Sequence, residues 1–329
     1  MQKNKKLNDI TLIQVIATGL IVFSHSVASS ILYPDATGTA VAVIQNAGLV
    51  AFMWCAGFLM ARTDAIKKYG YKRYIAKRFI RLMIPFFVIQ LLMLFPKILI
   101  AKMIGQPAEL SLPALIHSFL YPREGILPHL WFLPTLMLLC VISPVLQRAA
   151  ENKARWIIAL AVAAGLAYFP LNTNFICLGD VKNYLFWYLL GIGCAMPRRI
   201  DTLKNISAKF TWVMLPIILA GWIVLITFAG HSCKFLSGLL SLFLLITASS
   251  KFAGDGIQHI GRYTFPIYIL SLPIQNIVEI FAGRFGMGWP AATAVMFAAG
   301  VLIPLIMALC VNKFEEKNNL KIISRCIGL

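Results

Sequence analysis

Charged side chains are scarce in this sequence, at 13% of 329 residues. Soluble globular domains carry roughly a quarter. Acidic residues are rarest, with 12 Asp and Glu against 30 Lys and Arg. Seven cysteines are present, but no CxxC and no Cys/His cluster. That excludes a thiolate zinc site of the usual spacing, and no metal site is expected. Repeats, low-complexity tracts and a soluble domain are also missing. So is a convincing small-residue cleavage site after the first apolar run, which reads as a helix rather than a signal peptide.

What is present is apolar sequence, 60% of the chain. A helical bilayer crossing needs about 20 such residues. The expectation is an all-α, polytopic membrane helical bundle of about ten transmembrane helices. They are placed at 10–32, 38–61, 80–101, 129–147, 156–171, 183–196, 211–229, 235–250, 264–283 and 289–311. The fifth, sixth and eighth are short. Residues 108–120 form a candidate interfacial helix. Together 1–329 read as a single transmembrane domain, with a short basic N-terminus at 1–9 and a polar tail at 312–329.

The net charge of +18 invites a nucleic-acid reading. Charge placement argues against it. With ten spans both termini share a side, and 24 of the 30 Lys and Arg fall there. Basic residues accumulate in cytoplasmic loops, so both termini are expected in the cytoplasm. The partner implied is a lipid bilayer. Oligomeric state is not legible. Cys55, Cys140, Cys194 and Cys310 lie in apolar runs and read as small core residues. Cys177 and Cys233 fall in loops on one expected side, which leaves a disulfide open with nothing local to support it.

Four segments carry chemistry. His25 lies in the first helix, where an ionisable group is costly and faces a cavity or a partner. Imidazole suits general-base work on a hydroxyl; a histidine bonded at a helix interface is the equal alternative. Gln14 shares its face, eleven residues earlier and about 16 Å away. It also reads as a simple interhelical contact.

Arg78 and Arg81 are three apart, hence neighbours on one helical face, with Lys77 beside them. Two guanidinium groups can clamp phosphate oxygens. Equally, they can anchor topology on anionic lipid headgroups. His129 and Trp131, at the start of the fourth helix, fit a solvated flank and an aromatic belt. Tyr268 and Ser271 lie one turn apart in the ninth helix.

In order and spacing these segments resemble acyltransferase family 3 of bacterial membrane proteins. The first helix of that family reads Arg, ten residues, His; here it reads Gln14 and His25. The second ends in Ser-Gly-(Phe/Tyr)-Leu; here Ala56-Gly57-Phe58-Leu59. The third opens on Arg-x-x-Arg with a nearby Pro; here Arg78, Arg81 and Pro85. The fourth runs His-Leu-Trp-Phe-Leu to Ser-Pro; here His129 to Leu133, then Ser143-Pro144. A late helix opens on a run matched from Gly261 to Tyr268.

The resemblance implies a stand-alone enzyme of the bacterial inner membrane, without a soluble esterase-like domain. The donor implied is acetyl-CoA on the cytoplasmic side, used as substrate rather than as a resident cofactor. The acceptor implied is a carbohydrate hydroxyl of a surface polysaccharide or lipid-linked glycan precursor. His25 takes the place of the family's essential histidine, and Arg78 and Arg81 that of its acyl-CoA-contacting arginines. Gln14 and Ser271 depart from the pattern, standing where many members have a basic residue and a His. Those departures keep a second reading open: a catalytically silent relative that exports a glycan or lipid-linked sugar.

Overall fold

A bilayer core offers no water to backbone N–H and C=O groups, so a spanning segment must satisfy them internally. The apolar runs accordingly fold as helices. A computed structural model describes residues 2–27, 35–103, 111–171, 173–196, 211–213, 215–221, 223–224, 234–254, 256–318 and 323–329. Among them are helices and connecting turns, with no strand.

Among the described residues, seven helices are long and apolar enough to cross a membrane. They are α1 (Gln2–Val27), α2 (Asp35–Arg62), α4 (Tyr71–Met103), α6 (Phe132–Glu151), α10 (Lys234–Phe252), α12 (Thr264–Arg284) and α13 (Trp289–Asn318). The others are α3 (Ala65–Tyr69), α5 (Leu112–Leu120), α7 (Lys153–Tyr168), α8 (Leu178–Ala195), α11 (Ile257–Gly261) and α14 (Ile323–Cys326), with an apolar α9 at Thr211–Gly221. The chain is therefore an all-α polytopic bundle, with seven of the ten expected spans meeting both length and hydropathy. Of the rest, α7 has only 16 residues. Asp180 and Lys182 fall in the first turns of α8. Part of the expected 211–229 span lies outside the described residues.

By packing, the chain divides into two compact units. One comprises 1–59 and 194–307; the other comprises 60–193 and 308–329. In the first unit α1 packs against α10, α11 and α12. Ile13, Ala17, Ile21 and Val22 form its buried stripe. Helix α2 closes on the same stripe at Gly48. A Cβ there would stand 2.7 Å from the Ile21 side chain and 2.9 Å from the Ala17 carbonyl. Only glycine permits that approach, the small-residue contact by which membrane helices pack closely.

In the second unit α4 packs along α6 and against α14, and α6 along α7. Tyr71 donates its hydroxyl to the Val141 carbonyl at 2.9 Å, tying the start of α4 to α6. Trp156 donates its indole N–H to the Leu189 carbonyl at 3.2 Å, tying α7 to α8.

Among the boundaries that move from the sequence expectation, two show their physical reason. The third span starts at Tyr71, not 80, because Gly70 at φ +75° is the local break and the basic stretch after it continues the helix. The last span runs to Asn318, so the expected tail begins as helix. Beyond it, buried Glu315 accepts the Ser324 amide at 3.0 Å and holds the C-terminal turn. The interfacial helix expected at 108–120 is present as α5, capped by the Ser111 hydroxyl accepting from the Ala114 amide. Cys55, Cys140 and Cys194 are buried as expected, whereas Cys310 is exposed. Cys177 is a buried free thiol, and Cys233 lies outside the described residues.

Candidate active site

The candidate residues fall into one group in each unit. In the first unit His25 stands in the last turn of α1, half-buried. The hydroxyls around it are turned back onto their own helix. Thr18 donates to the Gln14 carbonyl, Ser24 to Ile21 and Ser26 to Val22, at 2.7 to 2.9 Å. Such back-bonding satisfies a hydroxyl without a partner helix. His25 instead reaches across to α2, where Nε2 of Gln45 stands 3.5 Å from Nε2 of His25. An amide nitrogen only donates, so this contact is a hydrogen bond in the tautomer whose imidazole Nε2 carries no proton. The lone pair that a general base needs is thus held by a neutral, displaceable donor.

Gln14 lies on the same helix, half-buried. Tyr268 and Ser271 are buried on α12. Tyr268 sets its ring 6.2 Å from that of Phe52, and Ser271 donates to the Tyr268 carbonyl at 3.2 Å.

The second unit gathers positive charge. Asp64 at φ 47° and Gly70 at φ 75° bracket α3 and fold it against the start of α4. The fold-back encloses a cavity of about 420 Å³. Its lining is Thr63, Ala65, Lys68, Tyr69, Tyr74, Lys77, Arg78 and Arg81, four of them cationic and none acidic. Tyr74, Arg78 and Arg81 share a face because their spacings of four and three match the helical turn. The aromatic rings organise the cations: Nζ of Lys77 stands 3.5 Å from the Tyr69 ring centroid, and Arg78 5.4 Å from that of Tyr74. Such contacts orient a charge without neutralising it.

Ser143, from the Ser-Pro pair of α6, shares a 2.8 Å hydrogen bond with buried Tyr188 and donates to the Leu139 carbonyl. Cys140 lies 3.8 Å from the same phenol oxygen.

His129 and Trp131 lie elsewhere in this unit, and both are buried. Trp131 forms the floor under Arg123, whose guanidinium carbon is 4.1 Å from the indole ring. Arg123 grips buried Asp180 with two parallel hydrogen bonds, one of 2.8 Å through Nε. Neither residue stood out in the sequence, because the pair joins positions 57 apart. Gln45 was equally silent, being one of two adjacent amides in an apolar run. Lys68, Tyr69 and Tyr74 could have been found from the aromatic and basic residues that crowd around Arg78. No group of three or more metal-ligating side chains occurs among the described residues.

A family model for an acyltransferase domain, that of acyltransferase family 3, matches residues 7–309. The chain belongs to this acyltransferase family. No curated protein and no solved structure matches it. In this acyltransferase the matched stretch takes in both groups of residues, His25 with Gln45 and the cationic cavity.

Proposed function

We propose that this membrane acyltransferase moves an acetyl group from cytoplasmic acetyl-CoA to a hydroxyl of a surface polysaccharide or lipid-linked glycan precursor. The observation that carries the reading is the cavity lined by Lys68, Lys77, Arg78 and Arg81 without an acid among them. Coenzyme A is rich in phosphate, and guanidinium forks match phosphate oxygens in pairs. The charge asymmetry of the loops supports a cytoplasmic position for this cavity and both termini, the side on which acyl-CoA is made.

His25 supplies the chemistry. In one route its Nε2 takes the proton of the acceptor hydroxyl as the oxygen attacks the thioester carbonyl. The C–S bond then breaks, and coenzyme A leaves as the thiol once a proton is returned. In the other route Nε2 attacks the thioester carbonyl and the C–S bond breaks, coenzyme A leaving as the thiol with the ring's proton; the sugar oxygen then takes the acetyl group from the imidazole and its proton returns to the ring. Either way Gln45 must yield its place on Nε2.

The test is transfer of labelled acetyl from acetyl-CoA to glycan in membranes containing the protein. Label appearing in base-labile ester on carbohydrate is the expected result. Its absence, with the protein present and folded, overturns the reading. The second reading, a silent export subunit, is favoured by Ser271, whose hydroxyl is bonded within its own helix. It gains ground if acetyl-CoA binds but no acceptor is ever labelled.

A further inference from the structure

Gln275 sits one helical turn beyond Ser271 on α12 and is fully buried. Its Nε2 donates to the Val22 carbonyl at 2.9 Å and to the Ser26 hydroxyl at 2.6 Å. The direction of the carboxamide is fixed by chemistry. A carbonyl only accepts, and the Ser26 hydrogen is already given to the Val22 carbonyl. The nitrogen must therefore face α1. Helix α13 closes the other side at Gly300, where a Cβ would stand 2.8 Å from Nε2 and 2.9 Å from Cδ. The amide is clamped between a glycine and the turn of α1 that carries His25, since Val22 and Ser26 flank that histidine.

This clamp leaves Oε1 of Gln275 buried without a hydrogen-bond partner. Buried side-chain oxygens are paired in the large majority of cases, and each exception calls for a reason. The grip on α1 needs only a donor, yet the residue that holds the His25-bearing turn also carries an acceptor oxygen left unused.

We infer that Oε1 of Gln275 is a substrate acceptor. It takes an N–H or O–H of the molecule that reacts at His25. Two sources present that chemistry: an amide N–H of the pantetheine arm, or a neighbouring hydroxyl of the acceptor sugar. The inference rests on the acetyl-transfer reading above.

The experiment compares wild type with Gln275→Met and Ser26→Ala in membranes, measuring kcat and KM for acetyl-CoA and for the glycan acceptor. Methionine keeps the length of the side chain and removes the acceptor oxygen. Ser26→Ala removes one anchor of the amide and keeps Oε1. The expected result is a roughly tenfold higher KM for one substrate in Gln275→Met, the size of one lost hydrogen bond. Ser26→Ala should stay within about twofold of wild type on both. A rise confined to acetyl-CoA identifies the pantetheine amide, and a rise confined to the glycan identifies the sugar hydroxyl.

Both KM values unchanged in an active Gln275→Met protein overturn the inference, leaving water as the partner of Oε1. An equal fall of kcat in both variants, with both KM values unchanged, also overturns it and makes the residue a helix clamp only. Wild-type membranes that transfer no acetyl bring down the functional reading itself, and this inference with it.

Discussion

Polar groups in the two units are held by different means. Around α1 they are mostly neutral and local: Thr18, Ser24 and Ser26 each bond to a carbonyl of the helix that carries them. In the second unit charged groups take part: the Arg123–Asp180 pair joins distant segments, and cations stand over the rings of Tyr69 and Tyr74. The difference follows from the cost of removing charge from water. A hydroxyl can be buried against its own helix at little cost, whereas a buried guanidinium needs a paired acid or access to solvent. His25 departs from that local pattern as the ionisable side chain of α1 that reaches across to α2.

The largest expected effect removes that exception. His25→Ala should abolish acetyl transfer while leaving the protein in the membrane at normal level. Retained transfer would make the histidine an interface residue like the hydroxyls around it. Next is Asp180→Ala, which strands Arg123. Asp180 is 6% exposed and Arg123 39%, so the loss should be about 2 kcal/mol, below that of a fully buried pair. Thermal unfolding in detergent reads it, and an unchanged midpoint would mean that the pair contributes nothing to stability.

The cationic cavity comes third. Replacing Arg78 and Arg81 together by Gln should weaken acetyl-CoA binding roughly tenfold or more, by loss of charge-assisted hydrogen bonds. Titration of detergent-solubilised protein measures this, and unchanged affinity returns both residues to topology anchoring. Gly48→Ala follows, at about 1–3 kcal/mol of stability, because the added methyl meets the Ala17 backbone.

The smallest effect concerns Cys177, whose thiol burial pushes up to about 12. The thiolate is the reacting form, so at pH 8 this cysteine should resist maleimide. In a variant retaining Cys177 alone, labelling of the folded protein by mass spectrometry should be negligible until denaturant is added. Prompt labelling would show that its turn opens to solvent.

Much of this was legible from composition and spacing. Apolar runs of bilayer length gave the helices, and the period of three to four residues aligned Arg78 with Arg81. His25 was visible as an ionisable group where such groups are rare. What stayed hidden depends on tertiary contact. Gln45, Gln275 and the Arg123–Asp180 pair are ordinary residues until another segment meets them. The start of α4 was misplaced because hydropathy marks where a helix becomes apolar, while Gly70 marks where it begins. Trp131, expected in an aromatic belt, lies instead under a guanidinium inside the second unit.

Pro85 lies within α4, one turn after Arg81. Having no N–H, it leaves the Arg81 carbonyl without its intrahelical partner, and its ring crowds that same carbonyl. A helix resists bending mainly through that ladder, so Pro85 softens α4 where the cationic cavity ends, as Pro96 does further along. The cations are therefore mounted on a short arm with its own hinge. The far end of that arm is pinned to α6 by the Tyr71 hydrogen bond, so any flexing at Pro85 is confined between this tie and the apolar remainder of α4.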